Sequence, residues 1–149
     1  MDNQTTKMSE LHGYYFEDLE VGMTDIFAKT VTEADIILYS GVSGDTNPVH
    51  LNHEFAVETM FKERIAHGML SAGFISAAIG TKLPGPGCIY IAQSLRFKAP
   101  VKAGDTVTAR VTVESLDIEK HFAKLKTVCT VAGKAVIDGE ATIMVPTRV

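Results

Sequence analysis

The chain has 149 residues, 46% hydrophobic and 21% charged, a balance that suits one soluble globular domain with room for a real core. Lys and Arg total 14 against 18 Asp and Glu, a formal charge of −4, which argues against a nucleic-acid partner but leaves room for a local basic patch facing an anionic cofactor. Cys88 and Cys129 lie in no CxxC or CxxH setting, which disfavours a disulfide scaffold or a zinc site and suits a reducing compartment.

Residues 1–13 read as a flexible tail and 14–149 as the domain. Met1 to Glu10 is too polar and acidic for a secretory signal or a transit peptide. Tyr14 to Phe16 and Thr24 to Val31 read as short strands joined by a turn at Glu20-Val21-Gly22. Thr32 is placed to cap a helix from Glu33 to about Tyr39, with Asp35 in its first turn to match the helix dipole. From His53 to Phe61, the residues Phe55, Ala56, Thr59 and Met60 fall at helical spacing. Gly68 to Thr81 carries no charge, and a helix apolar on nearly every face must be surrounded by protein. Its most apolar part, Met69 to Ile79, is too short and too rich in Gly, Ser and Ala to span a membrane.

Beyond Pro84-Gly85-Pro86-Gly87 the hydrophobic period becomes two. Val107, Ala109, Val111 and Val113 alternate with Thr108, Arg110 and Thr112, and Ala135, Ile137, Ala141, Ile143 and Val145 alternate across Gly139. Segments 88–99 and 121–132 are further strands, separated by turns at Gly104-Asp105 and Gly133-Lys134. One buried helix followed by long antiparallel strands predicts an α+β fold in which a sheet wraps the helix, rather than alternating βαβ units. The chain ends Pro146-Thr147-Arg148-Val149, which is no peroxisomal address, so the cytoplasm is the expected location.

The chemistry concentrates between Tyr39 and His50, in Tyr-Ser-Gly-Val-Ser-Gly-Asp-Thr-Asn-Pro-Val-His. Gly, Asp, Asn and Pro are common turn residues, and a lone Gly-Asp-x-Asn-Pro is an ordinary turn. Here, however, Pro48 bends the chain so that Asp45, Asn47 and His50 can be aimed at one small molecule. The longer string, completed by the small residue Ala56, resembles the signature of the MaoC-like (R)-specific enoyl-CoA hydratases. The likeness runs from about Phe16 to Val145.

That resemblance implies a hot-dog fold, usually paired as a homodimer whose sheets join edge to edge. It also implies reversible hydration of trans-2-enoyl-CoA to (R)-3-hydroxyacyl-CoA, with no metal or redox cofactor. Asp45, Asn47 and His50 match the family's catalytic positions. A carboxylate accepts hydrogen bonds, while imidazole accepts at one nitrogen and donates at the other, so Asp45 and His50 can hold one water between them. His50 is the natural general base near neutrality. Gly68, in Ala66-His67-Gly68, opens the uncharged helix, and its free N–H at the positive end of the dipole suits the thioester oxyanion. His67 itself reads as a packing or capping residue.

Ser76, Ile79 and Met144 match positions that shape the acyl pocket in related hydratases, and the bulk of Ile79 predicts a preference for short chains. Arg96 and Lys98 alternate with Leu95, Phe97 and Ala99, and with Lys102 they are candidates to meet coenzyme A phosphates; an outer strand face that is merely solvated is the simpler reading. The Asp and His spacing fits no closed zinc pattern. The runner-up activity is a 3-hydroxyacyl-thioester dehydratase acting on acyl carrier protein in fatty-acid synthesis. A hydratase would instead connect β-oxidation to polyhydroxyalkanoate monomers. A non-catalytic acyl-CoA-binding hot-dog module would not need a base and its partner, and a hot-dog thioesterase would lack the signature.

Overall fold

The computed structural model describes residues 6–148. The tail expected over residues 1–13 therefore falls partly, at residues 1–5, outside the described residues. Met8–Leu11 forms one helical turn, α1. The Gly13 and Tyr14 N–H groups then donate to the carbonyls of Pro86 and Pro84 at 2.9 and 2.8 Å. The strand expected at Tyr14 to Phe16 is not formed. Phe16–Asp18 is a 3-10 turn, closed by the Asp18 carboxylate accepting the Tyr15 N–H at 2.9 Å while the Phe16 ring enters the core. A local side-chain acceptor has outcompeted strand pairing.

Strand β1 spans Thr24–Thr30 and helix α2 spans Glu33–Ser43. Thr32 caps α2 as expected, its hydroxyl accepting the Asp35 N–H at 3.1 Å while Asp35 accepts the Thr32 N–H at 2.9 Å. The helix runs past the expected end at Tyr39, because Gly41 is tolerated within it. It stops at Gly44, whose φ of 80° is the left-handed conformation that glycine adopts freely. Two short helices follow, α3 over Pro48–Leu51 and α4 over His53–Val57, each capped by an asparagine, Asn47 and Asn52. The expected helix to Phe61 is thus shorter. Beyond Val57 the Thr59 hydroxyl bonds the Ala56 carbonyl at 2.6 Å and the chain turns away.

Helix α5 spans Gly68–Thr81, as the uncharged run predicts. The remaining strands are β2 (Ile89–Gln93), β3 (Arg96–Phe97), β4 (Thr106–Asp117), β5 (Phe122–Val131) and β6 (Lys134–Met144). They form one antiparallel sheet in the order β1-β4-β5-β6-β2, with β3 also on β6. The sheet curls about α5, the hot-dog arrangement that the resemblance implies. Phe74, Ile75, Ala78 and Ile79 of α5 meet Val107, Ala109, Val111 and Val113 of β4, and Leu125, Cys129, Ala141 and Ile143 complete the core. A side chain such as Ile75, fully buried here, contributes about 1.5–3 kcal/mol.

Two further expectations need correction. The alternation in β6 breaks at its start, where Val136 rather than Ala135 is buried. The pairing with β5 shifts register there, and the extra residue turns Ala135 away from the core. Nor is α5 enclosed on every side: Met69, Gly73, Ser76 and Gly80 face outward. Edge strand β2 likewise exposes Ile89 and Ile91, each 48% accessible.

Candidate active site

Three elements converge where α5 begins. The loop after α2 presents Asp45, helix α3 presents His50, and His67 precedes Gly68 at the N-terminus of α5. The loop is held locally: Asp45 Oδ1 accepts the Asn47 N–H at 3.2 Å, and Asn47 Oδ1 accepts the Val49 N–H at 3.2 Å. One oxygen of each side chain therefore builds the turn, as ordinary Asx turns do. Asp45 keeps its second carboxylate oxygen, and Asn47 its amide nitrogen, for other partners.

His50 is buried and pinned. Its Nδ1 lies 2.7 Å from the Ile65 carbonyl, which can only accept, so Nδ1 carries the hydrogen and Nε2 is left as the basic nitrogen. Burial, the larger effect, holds the His50 pKa below 6.5 and keeps the ring neutral near pH 7, partly opposed by the Ile65 hydrogen bond and by Asp45. Arg64 steadies the same helix, its Nε donating to the His50 carbonyl at 2.7 Å and its guanidinium pairing with Glu33. Sequence reasoning missed Arg64 and Ile65, because nothing in their local pattern marks a contact across 14 or 15 residues.

His67 is 2% accessible. Its ring stacks on His50 with centroids 3.7 Å apart, and it makes no helix-capping bond, so packing, not capping, is what the structure bears out. Asp45, His50 and His67 bring a carboxylate oxygen and two ring nitrogens within 4.8 Å of one another, the donor set of a three-ligand metal site. Two of the four ring nitrogens are already engaged, His50 Nδ1 at the Ile65 carbonyl and His67 Nε2 at the Asp45 carbonyl.

Asp45, His50, His67, Gly68, Met69 and Phe97 line a cavity of about 240 Å³. A second, of about 310 Å³, shares Gly68 and Phe97 and continues to Met60, Ser71, Lys98 and Ile137. Gly68, as the first residue of α5, has no intrahelical acceptor for its N–H. A Cβ there would lie 2.5 Å from two atoms of the Phe97 ring, so any larger residue must displace that side chain.

The other expected site residues are more dispersed. Ile79 is in the dry core, Ser76 is on the outward face of α5, and half-buried Met144 ends β6; none of them lines either cavity. Lys98 borders the larger cavity and pairs with Asp138 at 3.2 Å. Lys102 pairs with Glu63 at 3.2 Å, and Arg96 lies exposed beside Asp138 in the ladder. Each lysine is thus already partnered by a carboxylate on the surface.

A fold that curls one sheet about a helix, with Asp45 and His50 at its N-terminus, defines a hot-dog protein of the dehydratase type. The chain belongs to the MaoC like domain family, whose model matches residues 21–138. It is 63% identical over 135 residues to the (R)-specific enoyl-CoA hydratase of Rhodospirillum rubrum, covering 91% of this chain and 94% of that one. It is 48% identical over 141 residues to the 3-hydroxybutyryl-CoA dehydratase of Methylorubrum extorquens, covering 95% and 90%. Among solved structures, the unliganded R-hydratase PhaJ1 from Pseudomonas aeruginosa superposes with a TM-score of 0.86 at 47% identity, covering 93% and 89%.

Proposed function

We propose that this chain is an (R)-specific enoyl-CoA hydratase, a hydro-lyase that adds water reversibly to trans-2-enoyl-CoA. The observation that carries the reading is the environment of His50: one nitrogen committed to the Ile65 carbonyl, the other free beside Asp45, in a cavity that also contains Gly68. The likeness to the R. rubrum hydratase supports the same activity.

In this reading a water held by Asp45 and His50 attacks C3. Its proton passes to the carboxylate–imidazole pair, and C2 gains a proton in return, so that H and OH have been added across the double bond. Asn47 orients the water through its amide nitrogen. The Gly68 N–H meets the thioester oxygen as it acquires enolate charge, an interaction of the kind worth about 3–4 kcal/mol in the barrier. No metal or redox cofactor is required, since each step is a proton transfer or an addition. Lys98 is the best placed of Arg96, Lys98 and Lys102 to approach coenzyme A phosphates, at the rim of the larger cavity. Ser76, Ile79 and Met144 shape the acyl pocket only if the ligand, or a second subunit, extends the site along α5.

We further propose a cytoplasmic homodimer. Its support is the open face of α5 together with the exposed apolar edge strand β2, an edge that pairing would protect. Among the described residues no helix is long and apolar enough to cross a membrane.

The test is addition of crotonyl-CoA, with loss of the conjugated absorbance followed in time and the product resolved chirally. Formation of (R)-3-hydroxybutyryl-CoA is the expected result. Mostly (S) product, or no turnover, would overturn the reading, and a strong preference for the acyl-carrier-protein thioester would favour the dehydratase of fatty-acid synthesis.

A further inference from the structure

The proposed chemistry uses Asp45, Asn47, His50 and Gly68, but it leaves the first two residues of the signature, Tyr39 and Ser40, without a task. Both lie against His67. The Tyr39 ring packs on the imidazole with centroids 4.7 Å apart, and Ser40 Oγ is 3.2 Å from His67 Nε2. The same nitrogen is 2.9 Å from the backbone carbonyl of Asp45. A carbonyl cannot donate, so Nε2 carries the hydrogen and Asp45 accepts it. His67 is also covered by the stacked ring of His50. His67 Nδ1 is buried without a partner among the described residues, so the side chain's one committed hydrogen-bonding edge is the one aimed at Asp45.

We infer that His67 is a positioning residue for the proposed hydration, holding Asp45 and His50 in register with the Gly68 N–H. The physical reason is connectivity. Asp45 sits on an exposed loop, His50 on a helix of only four residues, and Gly68 on the rigid helix α5. Neither of the first two elements is long enough on its own to hold a side chain to the tolerance that catalysis demands, and the Ile65 and Arg64 contacts that pin His50 leave Asp45 to its own turn. His67 adjoins Gly68 in the chain, bonds the Asp45 peptide and covers the His50 ring, so one imidazole refers the water side of the site to the carbonyl side. Tyr39 and Ser40 then fix the orientation of that imidazole. A misplacement of about 1 Å at a reacting group can cost on the order of 10²-fold in rate.

This inference rests on the proposed activity, and its test separates the two. His67→Phe keeps an aromatic ring but removes the N–H; His67→Gln can place an amide donor near the Asp45 carbonyl but loses the ring. With crotonyl-CoA, His67→Phe should lower kcat on the order of 10²-fold with KM little changed, and His67→Gln should recover part of the loss. A kcat near wild type in His67→Phe, or a defect confined to KM, would overturn the inference; so would Phe and Gln variants that are equally impaired. Should either variant fail to fold, imidazole nitrogen NMR of the wild-type protein decides instead. It should show hydrogen on Nε2 of His67 and on Nδ1 of His50, and hydrogen on Nδ1 of His67 would overturn the clamp. That spectrum is independent of turnover, so a wild type that hydrates nothing would refute the proposed activity and leave the clamp to be judged by NMR.

Discussion

The two ends of α5 obey different rules. Toward its C-terminus, Phe74, Ile75, Ala78 and Ile79 form a dry, apolar contact with the sheet. At its N-terminus, His67 and Ser71 bury polar atoms, and His67 Nδ1 and Ser71 Oγ find no partner among the described residues. One helix thus serves as scaffold at one end and presents polar groups to the candidate site at the other.

The sharpest way to break this contrast is to remove the groups on the water side. Asp45→Asn and His50→Ala should each lower kcat on the order of 10²–10⁴-fold with a smaller change in KM. Asp45→Asn should also melt close to wild type, since Asp45 is exposed. Steady-state kinetics with crotonyl-CoA beside thermal melts checks both halves, and near-normal turnover in either variant would refute the water site.

The converse substitution, Ile79→Ala, should destabilise the fold by about 2–5 kcal/mol, because Ile79 is fully enclosed. Denaturant titration measures that loss. The ratio of kcat/KM for octenoyl- and crotonyl-CoA measures whether the residue also limits acyl length. An unchanged ratio places Ile79 wholly on the scaffold side.

Gly68→Ala lies at the boundary between the two regimes. Its Cβ must displace Phe97, a partly exposed side chain, at a cost of about 1–3 kcal/mol. Adding Phe97→Ala should restore much of the melting temperature. If the Gly68 N–H also serves the thioester, the double variant should remain slow.

The smallest effect is in pH. The His50 pKa is lowered from 6.5, chiefly by burial, and the proposed base must be unprotonated. The acid limb of kcat/KM should therefore have its midpoint below 6.5, with activity lost as pH falls through it. A limb centred above 6.5 would mean that His50 is not the group titrating.

The sheet and α5 were legible because their signals are extended, an alternation kept from Val107 to Val113 in the sheet and an uncharged run of 14 residues from Gly68 to Thr81. Short elements were not. Phe16–Asp18 depends on a single Asp18 contact, and the bulge at Val136 depends on a partner strand. In the site, Asp45, Asn47 and His50 stood out because they are close in sequence. His67 and Phe97 matter through approaches across the chain, of His67 to His50 and of Phe97 to Gly68, which no local pattern encodes.

One feature of His50 bears on stereochemistry. With Nδ1 committed to the Ile65 carbonyl, proton traffic through this ring has a single port, Nε2. If that nitrogen both accepts the proton of the attacking water and returns a proton to C2, the two additions occur from the same side of the alkene. Hydration in deuterium oxide would then leave deuterium at C2 syn to the new hydroxyl, and the relative configuration of two adjacent carbons would trace to one backbone carbonyl.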